Sequence, residues 1–80
     1  MIMRAKMQVS SVTPCGEGEI LKLHAVSKSE GYPADGSDED NSYARWSPSA
    51  SLEINVQNPA LVGKITPGQK YYVDFTLAPK

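Results

Sequence analysis

Eighty residues, 40% of them hydrophobic, suffice for one domain at most and for a small core. A net charge of −1, from eight basic and nine acidic side chains, disfavours a globally basic nucleic-acid-binding domain. The one cysteine, Cys15, excludes an internal disulfide and a thiolate zinc cluster and fits a reducing compartment.

The first predicted element runs from Met3 to Val12. Met3, Ala5, Met7 and Val9 alternate with Arg4, Lys6, Gln8 and Ser10, the period of a half-buried strand. Charges at every second position also interrupt any signal-peptide or membrane-spanning apolar run, so the expectation is an intracellular protein without membrane association. Pro14, Gly16 and Gly18 then predict a hairpin connection.

A second strand is expected over 19–27, where Leu21, Leu23 and Ala25 alternate with Lys22 and His24. Residues 28–41 hold Gly31, Pro33, Gly36 and five acids, and read as a long, mobile, negatively charged loop. Tyr43 and Trp46 follow on a segment too short to assign. The clearest strand pattern covers 49–57, with Leu52, Ile54 and Val56 against Glu53, Asn55 and Gln57.

Asn58 and Pro59, with Gly63 at the exit, predict one short helical turn near residues 59–62. Pro67 and Gly68 occupy the central positions of a type II turn, and 70–77 resumes an extended run. The expected architecture is a single all-β domain over 1–80, a small antiparallel barrel or sandwich of four to six strands, OB-like or SH3-like. So short a chain buries only about 60% of its unfolded surface, and assembly with copies of itself or with a partner is the natural remedy.

Three segments, Ser47–Ile54, Asn58–Lys64 and Pro67–Thr76, carry an Asn-Pro corner and a Tyr-Tyr-Val-Asp-Phe-Thr ending. In these the chain resembles a group of small proteins encoded by tailed bacteriophages and prophages. The resemblance implies a phage origin and a setting in the host cytoplasm. It transfers no activity and no catalytic residue.

Candidate chemistry is sparse. The acidic run Asp35–Asn41 offers hard oxygen ligands, but Gly36 stands second and no glutamate closes the loop, so it fails the EF-hand pattern and reads as a solvated rim of Asp38, Glu39 and Asp40. His24 is the only histidine, which leaves no two-histidine metal site. Cys15 has no basic neighbour to activate it, and Gly16 and Gly18 lack the Lys-Ser/Thr of a phosphate loop. Neither a cofactor nor a catalytic residue is therefore expected, and the protein reads as non-enzymatic.

Aromatic residues give the better clue. Tyr71 and Tyr72 must point to opposite faces of the last strand, so one is available to a ligand or a subunit. Tyr43, Arg45, Trp46, Lys70 and Tyr72 are the expected binding residues. The expected function is a phage-encoded binding module acting through protein contacts or self-assembly, as a homo-oligomer or on a host or phage protein, and countering a host defence. The alternative is a barrel that binds single-stranded nucleic acid or a nucleotide, with Arg4, Lys6, Arg45 and Lys70 as its cationic rim.

Overall fold

The computed structural model describes residues 2–28 and 31–79. Four strands, β1 (Met3–Cys15), β2 (Gly18–Ala25), β3 (Ser51–Val56) and β4 (Lys70–Phe75), form one antiparallel sheet in the order β3, β2, β1, β4. The class is all-β, as the alternation predicts. The sheet is open rather than closed: β3 and β4 are its two edges, and the molecule is a slab of 47 × 34 × 16 Å. A barrel would require β3 to meet β4, and because both pair inward, the single chain displays neither the OB-like or SH3-like closure nor a second sheet among its described residues.

β1 is longer than its alternation suggests because the hairpin is tighter. Cys15 pairs with Gly18 across a two-residue loop, in which Gly16 takes the positive φ of 63° that such loops demand. Pro14 is tolerated inside the strand because β4 reaches only Gln8, so its missing N–H faces no partner strand.

The register between β1 and β2 shifts between Val9 and Ser11. That bulge at Ser10 explains an oddity in the sequence. Val9 and Val12 are three apart, so strict alternation would send one of them to the polar face; the extra residue re-phases the strand and sets Val12 opposite Leu21.

Cross-strand pairing assigns the two faces. One carries Met3, Ala5, Met7 and Val9 of β1 with Leu21 and Leu23 of β2, Leu52, Ile54 and Val56 of β3, and Tyr71, Val73 and Phe75 of β4. Ala5, Met7, Val9, Leu21 and Leu23, on the two central strands, are the buried core, with Tyr43, Ala50 and Ile65 from the connections packed against it. The other face is polar, with Arg4, Lys6, Gln8, Lys22, His24, Glu53, Asn55, Lys70, Tyr72 and Asp74.

The connection from β3 to β4 shows how local signals fared. Asn58 caps as its type predicts, accepting from Ala60 N at its side chain and from Leu61 N at its carbonyl. The segment that follows makes turns and no helix. Thr66 to Gln69 closes a turn with Gly68 at φ 91°, the conformation that the Pro-Gly order of a type II turn requires. Gly63 N donates to the buried Glu19 carboxylate, which ties this connection to the start of β2.

Candidate binding site

The residues singled out in the sequence fall into three places. Tyr72, Lys70 and Asp40 belong to the polar face. There the Arg4 guanidinium lies 4.3 Å from the centre of the Tyr72 ring and donates to both oxygens of Asp74, at 2.7 and 3.0 Å. The Tyr72 hydroxyl donates to Asp40 at 3.0 Å, and Lys6 Nζ reaches the same carboxylate at 3.4 Å.

These contacts set the local electrostatics. Hydrogen bonding from Arg4 holds the Asp74 carboxyl below the ordinary aspartate range, and donation to Asp40 pushes the Tyr72 phenol up. Both Arg4 and Lys6 are thus matched by acids, and the face is a neutralised network rather than a cationic strip.

The segment from residue 31 to Trp46 is the second place. Asn41 is fully buried, at 0% exposure, and stands in for a strand that is not there. β2 ends opposite Met7, so the Lys6 N–H would lack a strand acceptor on that side. The Asn41 side chain fills the gap: its Oδ1 accepts from Lys6 N at 2.8 Å and its Nδ2 donates to Val26 O at 2.8 Å. Val26 N in turn donates to Lys6 O, and Ser42 exchanges two bonds with the Arg4 backbone.

Asp38, placed on the rim by its sequence context, lies inside this segment at 4% exposure. It accepts from Asp40 N, Asn41 N, Asn41 Nδ2 and the Tyr32 hydroxyl. Burial works to raise its pKa, and the hydrogen bonds from Asn41, Tyr32 and Asp40 outweigh it and hold the carboxyl below the ordinary value. Glu39 does sit outward and pairs with Lys28 at 3.0 Å.

Arg45 pairs with Ser37 in an isolated antiparallel bridge, and Trp46 N donates to Gly36 O. The Trp46 ring lies over Gly36 and tilts against Tyr32, ring centres 6.1 Å apart. Both Gly36 and Trp46 adopt positive φ, 73° and 65°, so this corner stores strain at a non-glycine residue. A shallow concavity of about 360 Å³ lies beside it, bordered by Asp38, Glu39 and Arg45.

Tyr43 is in the third place, on the opposite side of the sheet. It lines an apolar recess of about 120 Å³ with Met3, Ala5, Met7, Ala50, Leu52, Val73 and Phe75. Burial pushes its phenol pKa up, and its hydroxyl is buried with no hydrogen-bond partner among the described residues. Phe75 and Ile54 extend this apolar surface at 49% and 43% exposure. The expected site is therefore not one constellation: the structure separates Tyr43 from Tyr72 by the thickness of the sheet.

Sequence reasoning missed Asn41 and Tyr32, and the role of the Ser10 bulge. A signal existed for the turn that presents Asn41: an aspartate can accept from the backbone N–H two residues on, as Asp38 does from Asp40 N, hidden here in a run that resembles solvated acid. The bulge brings the Ser10 hydroxyl to His24 Nδ1 on the exposed face, where His24 stands in a row with Gln8 and Ser51. A serine and an imidazole in contact are two parts of a nucleophilic site, but here they lie on an open sheet rather than in a cleft. Cys15 is exposed at the hairpin tip.

Among the described residues no group of three histidine, cysteine, aspartate or glutamate side chains is placed to hold a metal ion. The described residues contain no helix long and apolar enough to cross a membrane. Comparison of the chain with protein-family models, with curated proteins and with solved structures finds no match.

Proposed function

We propose that the protein is a non-enzymatic binding module that works by protein contact, self-assembly included, through the uncovered part of its apolar sheet face and its open edges. The observation that carries this reading is the recess around Tyr43. A sheet needs a second layer on its apolar face, and here only a few connecting residues supply one, which leaves Phe75 and Ile54 part exposed and a polar hydroxyl without a partner. A bound protein would cover Phe75 and Ile54, whereas the Tyr43 hydroxyl stays buried within the chain. The barrel or sandwich that the composition suggests belongs to that assembled state, in which a partner contributes the missing layer.

Likeness to phage-encoded proteins adds the setting: an infected bacterium, with a host defence protein as the class of target such a surface would block. The second reading, a nucleic-acid or nucleotide site, is favoured by one observation, the Tyr72 ring flanked by Arg4, Lys6 and Lys70. Against it stand Asp74 and Asp40, which already hold Arg4 and Lys6. Binding of a single-stranded oligonucleotide that weakens steeply with salt would favour this second reading.

The test compares the wild type with Ala50→Arg, which puts a long cation at the mouth of the recess. Sedimentation mass is read from micromolar to millimolar protein, beside retention of purified host proteins. The expected result is an associated species or a retained protein that Ala50→Arg loses while its circular dichroism is unchanged. Identical behaviour of the two proteins would overturn the recess as the binding surface.

A further inference from the structure

β4 hydrogen-bonds to β1 along one side and, among the described residues, has no strand on the other. Edge strands that must stay alone are blunted by proline, a bulge or inward charge. β4 has no proline, bulge or inward charge: its register with β1 runs unbroken from Gln8 opposite Lys70 to Met3 opposite Phe75. Lysine on an edge strand also discourages pairing, but the edge charges of β4, Lys70 and Asp74, have opposite signs and can offset each other across a two-fold. The strand is six residues of extended edge, Lys-Tyr-Tyr-Val-Asp-Phe.

Its residues are also arranged to accept a copy of themselves. If two β4 strands pair antiparallel about Tyr72, with the two-fold axis perpendicular to the sheet, each face continues into the same face of the other copy. Lys70 then stands opposite Asp74 of the second copy, twice, and Tyr71 opposite its Val73. On the polar face the charges alternate along one row: Arg4, Asp74, then the second copy's Lys70. Arg4 already meets Asp74, whereas no ion pair among the described residues includes Lys70.

The other edge lacks this complementarity. β3 centred on Glu53 would oppose glutamate to glutamate, and centred on Ile54 it would set Glu53 against Asn55. Opposite charges directly across a ladder stabilise it and like charges destabilise it, so the charge pattern selects β4.

We infer that β4 is a self-pairing edge, and that two copies of the chain join antiparallel about Tyr72 into one continuous sheet with Lys70 of each facing Asp74 of the other. This rests on the self-assembly part of the proposed function and names its surface. Two-fold pairing of this kind closes, which yields a dimer rather than a fibre.

The experiment uses charge exchange in the full chain. Lys70→Glu sets two acids against each other at both contacts and Asp74→Lys sets two cations, so each variant alone should dimerise about tenfold more weakly in sedimentation equilibrium. An equimolar mixture of the two restores both attractions and should recover the dimer as a heterodimer. Independently, Tyr72→Cys in a Cys15→Ser background places two thiols at the axis within disulfide reach. It should cross-link on oxidation, and Asn55→Cys on β3 in the same background should not.

A dimer indifferent to the charge variants and without the Tyr72→Cys cross-link overturns the β4 edge and leaves self-assembly by another surface standing. A wild type that stays monomeric to millimolar concentration overturns both the edge and the self-assembly reading. The Ala50→Arg comparison then judges the recess separately.

Discussion

Asn41 is where a single substitution tests the largest part of the reasoning. Truncation to alanine removes a fully buried amide and leaves Lys6 N, Val26 O and one Asp38 oxygen without the partners now at 2.8, 2.8 and 3.2 Å. Each hydrogen bond lost is worth about 1 kcal/mol net, and a buried group left unsatisfied costs about 1 to 3 kcal/mol. Partial access of water to the Lys6 side reduces the sum, and the expected loss is about 3 kcal/mol. Chains of this length have a total stability of about 4 to 12 kcal/mol, so the variant should unfold at a much lower urea concentration.

Asn41→Asp sharpens the test. It keeps the acceptor for Lys6 N but turns the donor into an anion that faces the Asp38 carboxylate and the Val26 carbonyl. The variant should be at least as unstable at neutral pH and regain stability on mild acidification, when one of the two carboxyls takes a proton. Urea titration followed by fluorescence of Trp46, the one tryptophan, and by far-ultraviolet circular dichroism gives both values. A loss below about 1 kcal/mol for Asn41→Ala, or a neutral-pH Asn41→Asp as stable as the wild type, would refute the claim that this side chain replaces a missing strand.

Three further expectations follow the same logic. The Asp38 pKa is depressed on folding, so the stability it contributes is complete above its unfolded value of about 3.8 and is lost as pH falls through the lower folded one; urea midpoints measured from pH 7 down to pH 2 should show that acid loss, and Asp38→Asn should flatten it. Tyr43→Phe removes a buried hydroxyl that has no partner and should leave the free protein as stable or up to about 1 kcal/mol more stable, and a clear loss in thermal melting would show that the hydroxyl is satisfied. Gly36→Ala meets both a φ of 73° and the Trp46 ring where its Cβ must go, so it should destabilise by about 2 kcal/mol and shift the Trp46 emission; unchanged emission and stability would count against that packing.

The polar face shows how partial the legibility of a site can be. Tyr72 was readable as an outward aromatic because Tyr71 and Tyr72 cannot both face the core, and the structure leaves it 53% exposed. That Asp40 and Arg4 would meet it was not readable, since they lie 32 and 68 positions away in a chain whose strand order is not its sequence order. Asp38 was misplaced for a related reason. An acid among acids resembles solvent-facing charge until the chain curls and aims three N–H groups and a phenol at it.

Alternation determined which segments form strands and which side of each is apolar, and glycine and proline determined the turns at Gly16 and Gly68, because side-chain period and φ preference are properties of a few neighbouring residues. The tertiary structure decided that β1 lies at the centre, that the sheet stays open, that a bulge re-phases Val12 and that Asn41 plugs a gap in the ladder. These depend on hydrogen-bond partners and contacts between segments far apart in the chain, where the free energy of one pairing is set against every competing one. No local pattern of residues carries that comparison.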